Sequence, residues 1–302
     1  MTAPTGTDPR RYILSEHAFS APALEPALYI VSTPIGNLGD ITVRALETLA
    51  GAAVIACEDT RVTGTLTHRF GLKTPLIPYH EHNADKQRPK ILETLERGEA
   101  VALVSDAGTP LISDPGYRLV RDVVAAGHKV VPIPGASALL AGLVGAGLPS
   151  DTVLFAGFLP QKGGPKTRRI EELAKMPATL VFYESPRRLG ATLATMAEVM
   201  GADREASVAR ELTKRFETFE RGTLGSLAEH FSGDAPKGEI VILIAPPEDA
   251  PEADESDAEA LLIEALKEMP VSAAAKKVAK QTGLDRNELY KRALDLKASS
   301  AD

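Results

Sequence analysis

The stretch A100-VALVSDAGTPLISDP-G116 decides the reading of the chain. Residues 100–104 are apolar throughout, without the alternation of a half-exposed strand, as in a strand covered on both faces. The run stops at Ser105, and Asp106, Ala107, Gly108 and Thr109 follow, small residues behind one acid. A glycine there admits backbone angles that other residues resist, and an acid just past a strand end sits where open α/β sheets bind ligands. Asp106 in that place suits ribose hydroxyls or an α-ammonium; the plain alternative is a turn in which it is a local acceptor. Asp114 and Pro115 then read as cap and first residue of a helix to Ala126, ended by Gly127.

Outward from this stretch the pattern repeats. Strands are predicted at 28–33, 52–57 and 129–133, with helices at 42–50 (capped by Asp40), 61–70, a segment ending near Arg97, and 137–147. The alternation implies a mainly parallel sheet covered by helices. It breaks at 147–151 (GLPSD). A second set follows, with strands near 152–156, 179–183, 206–210 and 239–245 and helices near 167–175, 187–200 and 224–231. The organisation expected is a flexible extension 1–26, an α/β domain 27–149, a second α/β domain 150–246, an acidic linker 247–258 and a helical module 259–302. In that module Pro270 stops one helix, Ser272 caps the next, Gly283 ends it, and Asp285 with Glu288 resembles a capping box, giving a helix-turn-helix-like unit.

The 302 residues have ordinary soluble composition, 44% hydrophobic and 25% charged, which excludes a wholly disordered or fibrous chain. One cysteine, Cys57, excludes an intrachain disulfide, and no apolar run reaches the roughly 18 residues of a membrane span. The net charge of −7 equals the seven acids of residues 246–260, which hold no base, while residues 271–297 carry seven bases against three acids. A basic tail on an acidic leash fits RNA contact, and equally a helical cap with a solvated face.

Other loops offer chemistry. Residues 33–40 (TPIGNLGD) could approach a ligand closely, or simply turn; G-x-G-x-x-G and Walker A patterns are absent, so phosphate anchoring of a dinucleotide or ATP has no support. Residues 134–138 (PGASA) place Ser137 at a helix start, as ligand contact or N-cap; Leu139 stands where a hydrolase elbow needs glycine. Glu58 and Asp59 before Arg61 suit a base or a clamp, or a capped helix start. His80, Glu81, His82 and Asn83 form a polar loop facing substrate, and no further ligand at metal spacing accompanies the histidines. Arg187 and Arg210 with Lys214 follow strand ends, and residues 161–169 carry Lys162, Lys166, Arg168 and Arg169 around Gly-Gly-Pro, all suited to RNA phosphates.

Taken in order, LYIVSTPIGNLGDIT, CEDTR, YHEHN, VSDAGTPLISDPG, PIPGASA, FAGFLPQK, FYESPRR, ARELTK and KGEIVIL resemble the ribosomal RNA small subunit methyltransferase I family, a branch of the tetrapyrrole methylase superfamily. The resemblance runs nearly continuously over 28–245, and the terminal module is similar to that family's helical appendage. It implies an α/β two-domain tetrapyrrole-methylase-like body with S-adenosylmethionine (SAM) in the interdomain cleft, a cytoplasmic homodimer, and methylation of a cytidine ribose 2′-oxygen in 16S rRNA or the small ribosomal subunit, with no metal. It implies cofactor contacts from Pro34, Asp106, Gly108, Thr109, Ser137, Ala138, Tyr183, Ala209, Gly238, Glu239 and Ile240. For a proton acceptor the candidates are Glu58, Asp59, Glu184, His80 and His82. Arg61, Asn83, Lys162, Lys166, Arg168, Arg187, Arg210 and Lys214 are the candidates for RNA. Two other readings stay open: a tetrapyrrole or diphthamide-precursor methyltransferase, and a non-catalytic RNA-binding protein.

Overall fold

Continuous apolar strands need cover on both faces, and the computed structural model, which describes residues 10–112, 116–247, 255–282 and 286–299, shows how they obtain it. The first sheet holds β3 (Leu28–Val31), β4 (Val54–Cys57), β5 (Leu76–Pro78), β6 (Val101–Val104) and β7 (Val130–Ile133) in the order β5-β4-β6-β3-β7, all parallel. Every residue of β3 and β6 is buried. Successive residues of these strands feed two separate cores, one with Tyr29, Val31, Ala102 and Val104, the other with Leu28, Ile30, Val101 and Leu103. The helices between strands are α1 (Val43–Gly51), α2 (Thr60–Arg69), α3 (Ala84–Glu96), α4 (Tyr117–Ala125) and α5 (Ala138–Ala146).

The second sheet, order β11-β10-β12-β9-β8, is different. Only β8 (Val153–Phe158) and β9 (Thr179–Glu184) run parallel; β10 (Glu205–Arg210), β11 (Thr218–Thr223) and β12 (Ile240–Ile244) pair antiparallel. A mainly parallel sheet therefore describes the first half alone. Even-numbered residues Leu180, Phe182, Ile242 and Ile244 face a core shared with α6 (Gly163–Ala174), α7 (Leu189–Met200) and α8 (Leu224–His230). Odd-numbered Val181, Val241 and Leu243 face α5 of the first half.

Several expected details change. Thr42, not Asp40, caps α1, its hydroxyl accepting from the Ala45 N–H at 3.1 Å, because a 3-10 turn at Leu38–Asp40 intervenes. Residues 10–26 are not a loose extension. Strands β1 (Arg11–Leu14) and β2 (His17–Ser20) form a hairpin whose turn residues Ser15 and Glu16 both have positive φ, as a two-residue hairpin turn requires. Tyr12 buries in the first core and the Ile13 N–H donates to the Phe70 carbonyl at 2.7 Å. The cap at Asp114 and Pro115 lies outside the described residues, as do residues 1–9, residues 248–254 of the acidic linker, Gly283 and Asp285.

The tail is a unit by itself: α9 (Glu255–Glu268), α10 (Val271–Thr282) and α11 (Arg286–Ser299) close around Leu262, Ala274, Val278 and Leu289. Helix α9 starts ahead of the expected residue 259, and α10 starts at Val271, ahead of Ser272, with the Pro270 carbonyl accepting from Ala273 and Ala274.

Two helical glycines, one packed and one open, test the packing around them. A Cβ at Gly145 would lie 2.2 Å from the Phe219 ring, whereas one at Gly64 in α2 meets nothing within 4 Å. Gly64→Ala should stabilise the protein by ~0.5–1 kcal/mol through lost chain entropy, and Gly145→Ala should destabilise it by ~1–3 kcal/mol through overpacking; urea titration of both variants checks the opposite signs.

Candidate active site

The loops after β3, β6 and β7 are laced together by their own main chains. Thr33 and Gly108 exchange N–H···O bonds at 2.9 and 3.1 Å. The Ser32 and Thr109 hydroxyls lie 2.9 Å apart, and Thr109 donates to the Ala136 carbonyl at 3.3 Å. Gly108 has φ of +78°, so glycine is required for the reciprocal bond. These loops face the end of β9 and the start of β12 across a cavity of about 460 Å3.

Of the residues the resemblance implies for the cofactor, Asp106, Gly108, Thr109, Ser137, Ala138, Tyr183, Gly238, Glu239 and Ile240 line it. Pro34 and Ala209 do not: Pro34 is buried beside the wall residue Ile35, and Ala209 packs in the core beneath α5. Motif reading missed Ile35, Ile112, Phe158, Leu212 and Val241, which supply the apolar wall. All five stand inside the quoted motifs, but nothing in an apolar residue's identity distinguishes wall from core. The site thus joins apolar walls to an acidic rim of Asp106 and Glu239, matched to a cation with an apolar body. Asp106 Oδ1 accepts the Asp59 N–H at 3.0 Å, which orients its carboxylate. Ser137 makes no side-chain cap bond; the Leu139 N–H at the start of α5 instead donates to the Tyr183 hydroxyl at 3.1 Å.

Most candidate proton acceptors are engaged elsewhere. Asp59 caps α2 and takes three guanidinium bonds from Arg61, which hold its pKa down to about 2 and make it a feeble base. Glu184 lines the cavity, yet its carboxyl side chain is 1% exposed and accepts from the Ser185 N–H (2.7 Å) and Thr192 hydroxyl (2.8 Å) beside Arg188 Nε (3.3 Å). It positions the wall rather than takes a proton. Glu58, His80 and His82 are not among the lining residues. His80 is bound into a local turn by Asn83, whose side chain also donates to the Pro78 carbonyl. Among the described residues no group of three or more His, Cys, Asp or Glu could hold a metal ion.

The basic candidates divide in the same way. Arg61, Lys162, Arg168 and Arg187 are exposed. Lys166 donates to the Ala191 carbonyl, and burial lowers its pKa, with the neighbouring Arg188 adding to the effect. Arg210 bonds Thr218 and the Lys237 carbonyl. Lys214 crosses the face of Gly36, where a Cβ would meet its methylenes at 2.6 Å, and binds Glu211 (2.8 Å) and Glu239 (3.2 Å). Glu211 also accepts the Glu239 N–H at 3.1 Å and fills the space where a Gly238 Cβ would stand. Lys214 therefore ties the first loop to the β12 entrance, and the strained positive φ of Glu211 and Thr213 is held by this network.

The hydrogen bond from Lys214 lowers the Glu211 pKa below the ordinary 4.5. A lowered carboxyl pKa contributes stability above its unfolded value and loses it as pH falls through the folded one. Lys214→Met should therefore be less stable than wild type at neutral pH, with the gap closing as pH drops below about 4.5; thermal melts across pH 3–7 check it.

Known proteins agree with this geometry. The profile of the Tetrapyrrole (Corrin/Porphyrin) Methylases matches residues 27–228, and that of the RsmI C-terminal HTH domain matches residues 252–297. Ribosomal RNA small subunit methyltransferase I of Mesorhizobium japonicum is 54% identical over 92% of this chain and 95% of its own. That of Pseudomonas aeruginosa is 47% identical over 90% and 98%. Among solved structures, the cobalt precorrin-4 methyltransferase CbiF superposes with a TM-score of 0.57 at 18% identity, covering 73% of this chain and 95% of its own. Uroporphyrin-III C-methyltransferase from Thermus thermophilus, crystallised with S-adenosylhomocysteine, gives 0.52 at 19% over 72% and 96%. With both profiles matched and relatives 47–54% identical over at least nine-tenths of the chain, the chain belongs to the ribosomal RNA small subunit methyltransferase I family of the tetrapyrrole methylases.

Proposed function

We propose that this protein methylates the ribose 2′-oxygen of a cytidine in 16S rRNA, using SAM held in the cavity between the two sheets. The observation that carries the reading is the cavity itself: about 460 Å3, acidic at the rim and apolar within, inside the roughly 300–1,000 Å3 of small-molecule sites. The residues fit the donor. Asp106 and Glu239 offer carboxylates to its positive charges, Ile35, Leu212 and Val241 an apolar bed, and the start of α5 at Ser137 and Ala138 backbone N–H groups. When bound, SAM supplies a methyl group already activated on sulfur.

This chain's own contribution is then alignment, which can supply roughly 7–11 kcal/mol. Carboxylates facing a cation whose charge disappears in the transfer strengthen the ground state, not the transition state. Asp106 is thus a binding residue. The exposed guanidinium of Arg61 and the exposed heads of Lys162, Arg168 and Arg187 serve rRNA phosphates. The tail adds Lys276, Lys277, Arg286 and Lys291, all exposed. The same reading includes a cytoplasmic homodimer, for which the exposed Leu140 and Val144 of α5 and Tyr117 and Val124 of α4 supply apolar surface.

Small subunits from cells lacking this protein should accept label from tritiated SAM on a single cytidine ribose, located by nuclease digestion and mass spectrometry. Base labelling, or no label beside an active control enzyme, refutes the reading. Asp106→Asn should raise the KM for SAM at least ~10-fold with a smaller change in kcat, as expected for lost ground-state binding. Removing residues 255–302 should weaken subunit binding and flatten its salt dependence while sparing SAM affinity.

A further inference from the structure

We propose that Phe158 is the platform on which an unstacked base of the RNA target is held at the mouth of the cavity. The inference rests on the rRNA methyltransferase reading above and adds to it the residue that receives the base.

An exposed apolar side chain by itself needs no explanation. Phe158 differs in three respects. First, it is 59% exposed and lines the cavity, whereas the other apolar residues of the second sheet on that wall, Leu212, Ile240 and Val241, are 3–6% exposed. Burial therefore grades the cavity: an inner apolar bed for a small ligand, and one aromatic ring at the outer edge. Second, the ring is fixed. It meets Tyr183 edge to face with centroids 5.7 Å apart, and the Tyr183 hydroxyl takes the Leu139 N–H at the start of α5. Third, the chain leaving Phe158 is clamped. Arg188 donates to the carbonyls of Leu159 (3.0 Å) and Pro160 (3.1 Å) while paired with the buried Glu184. A buried carboxylate is costly unless it is paired and its other bonds are made; Ser185 and Thr192 complete those of Glu184, and the half-buried Arg188 paired with it spends its Nη2 on the segment that presents the ring. Glu184 and Arg188 are positioning residues for it.

A ring presented in this way offers a π face to any base, the device by which proteins hold single-stranded RNA. A duplex displays its 2′-hydroxyls only at the surface of a shallow groove; to bring one to a donor recessed in this cavity the nucleotide must leave its stack, so a platform for the displaced base belongs at this mouth. The exposed Lys162, four residues along the chain, and Arg187, beside the clamp, stand ready for the flanking phosphates.

The test compares wild type, Phe158→Ala and Phe158→Trp on hypomodified small subunits. Filter binding gives the subunit Kd, tritium transfer gives KM and kcat, and calorimetry gives the SAM Kd. Loss of one stacked base predicts a roughly 5- to 150-fold rise in subunit Kd and KM for Phe158→Ala, recovery in Phe158→Trp, and an unchanged SAM Kd. Unchanged subunit binding in Phe158→Ala overturns the inference. So does a SAM Kd that rises while subunit binding holds, which would assign the ring to the adenine of the donor. Wild type that binds subunits without labelling them refutes the methylation reading alone, and the binding arm still decides the role of the ring.

Discussion

Everything at the site depends on one contact, α5 against the second sheet. The helix contains only Ala, Leu, Gly and Val, so no polar stripe orients it; fit does. Gly142 brings its backbone close to Val241, and Gly145 receives the Phe219 ring end-on. Both ends are then tied to the same sheet. Arg221 donates to the carbonyls of Gly145 and Ala146 at the C-terminus, where a cation complements the helix dipole, and Tyr183 meets the N-terminus. Because α5 follows directly from β7 and its loop, docking the helix places the three laced loops of the first sheet opposite β9 and β12. The cavity is the space left by that docking.

This arrangement explains which parts of the fold were legible. Strands β3, β4 and β6 announce themselves because burial on both faces needs unbroken apolar runs; β7, at the sheet edge with only Ile133 buried, is legible from its short apolar run alone. Strand β5 has three residues, too few for any period, and β11 (TFERGT) reads as polar surface since only its pairing with β10 makes it a strand. The N-terminal hairpin hides for a related reason: its turn uses Ser15 and Glu16 rather than Asn-Gly, and its register depends on docking Tyr12 and Ile13 against α1 and the end of α2. Strand direction in the second sheet follows from connections, which local pattern does not carry.

Within the site, loops were legible and charges were not. A glycine-rich turn after a buried strand predicts a cavity wall from local geometry alone, and Asp106, Gly108 and Ser137 are all there. Whether a carboxylate is available depends on which side chains the folded backbone brings to it, which residue identity does not show even at short spacing. Glu184 is consumed by Arg188 and Thr192, four and eight residues on, and Lys214 by Glu211, three residues before it, and Glu239, 25 residues on. Both networks sit at the junction of the halves, where an unpaired buried charge costs far more than at the surface. The acids and bases that look most catalytic in sequence are therefore those most often enlisted to hold the cleft open at the right width.

That enlistment leaves a division of roles that the fold alone does not dictate. The fold is shared with tetrapyrrole methyltransferases at 18–19% identity. On the reading proposed above, the inner bed and laced loops of this chain answer to a small ligand, and the mouth answers to a second molecule. A flat macrocycle is a small rigid body and needs a broad apolar trough. A nucleotide within a ribosomal subunit is held by a large partner on all sides and needs only one ring for the base and dispersed cations for the backbone. A single exposed phenylalanine on a rigid clamp, with lysines and arginines around it and two basic helices, α10 and α11, farther along the chain, is the cheaper solution for the second kind of substrate and of little use to the first.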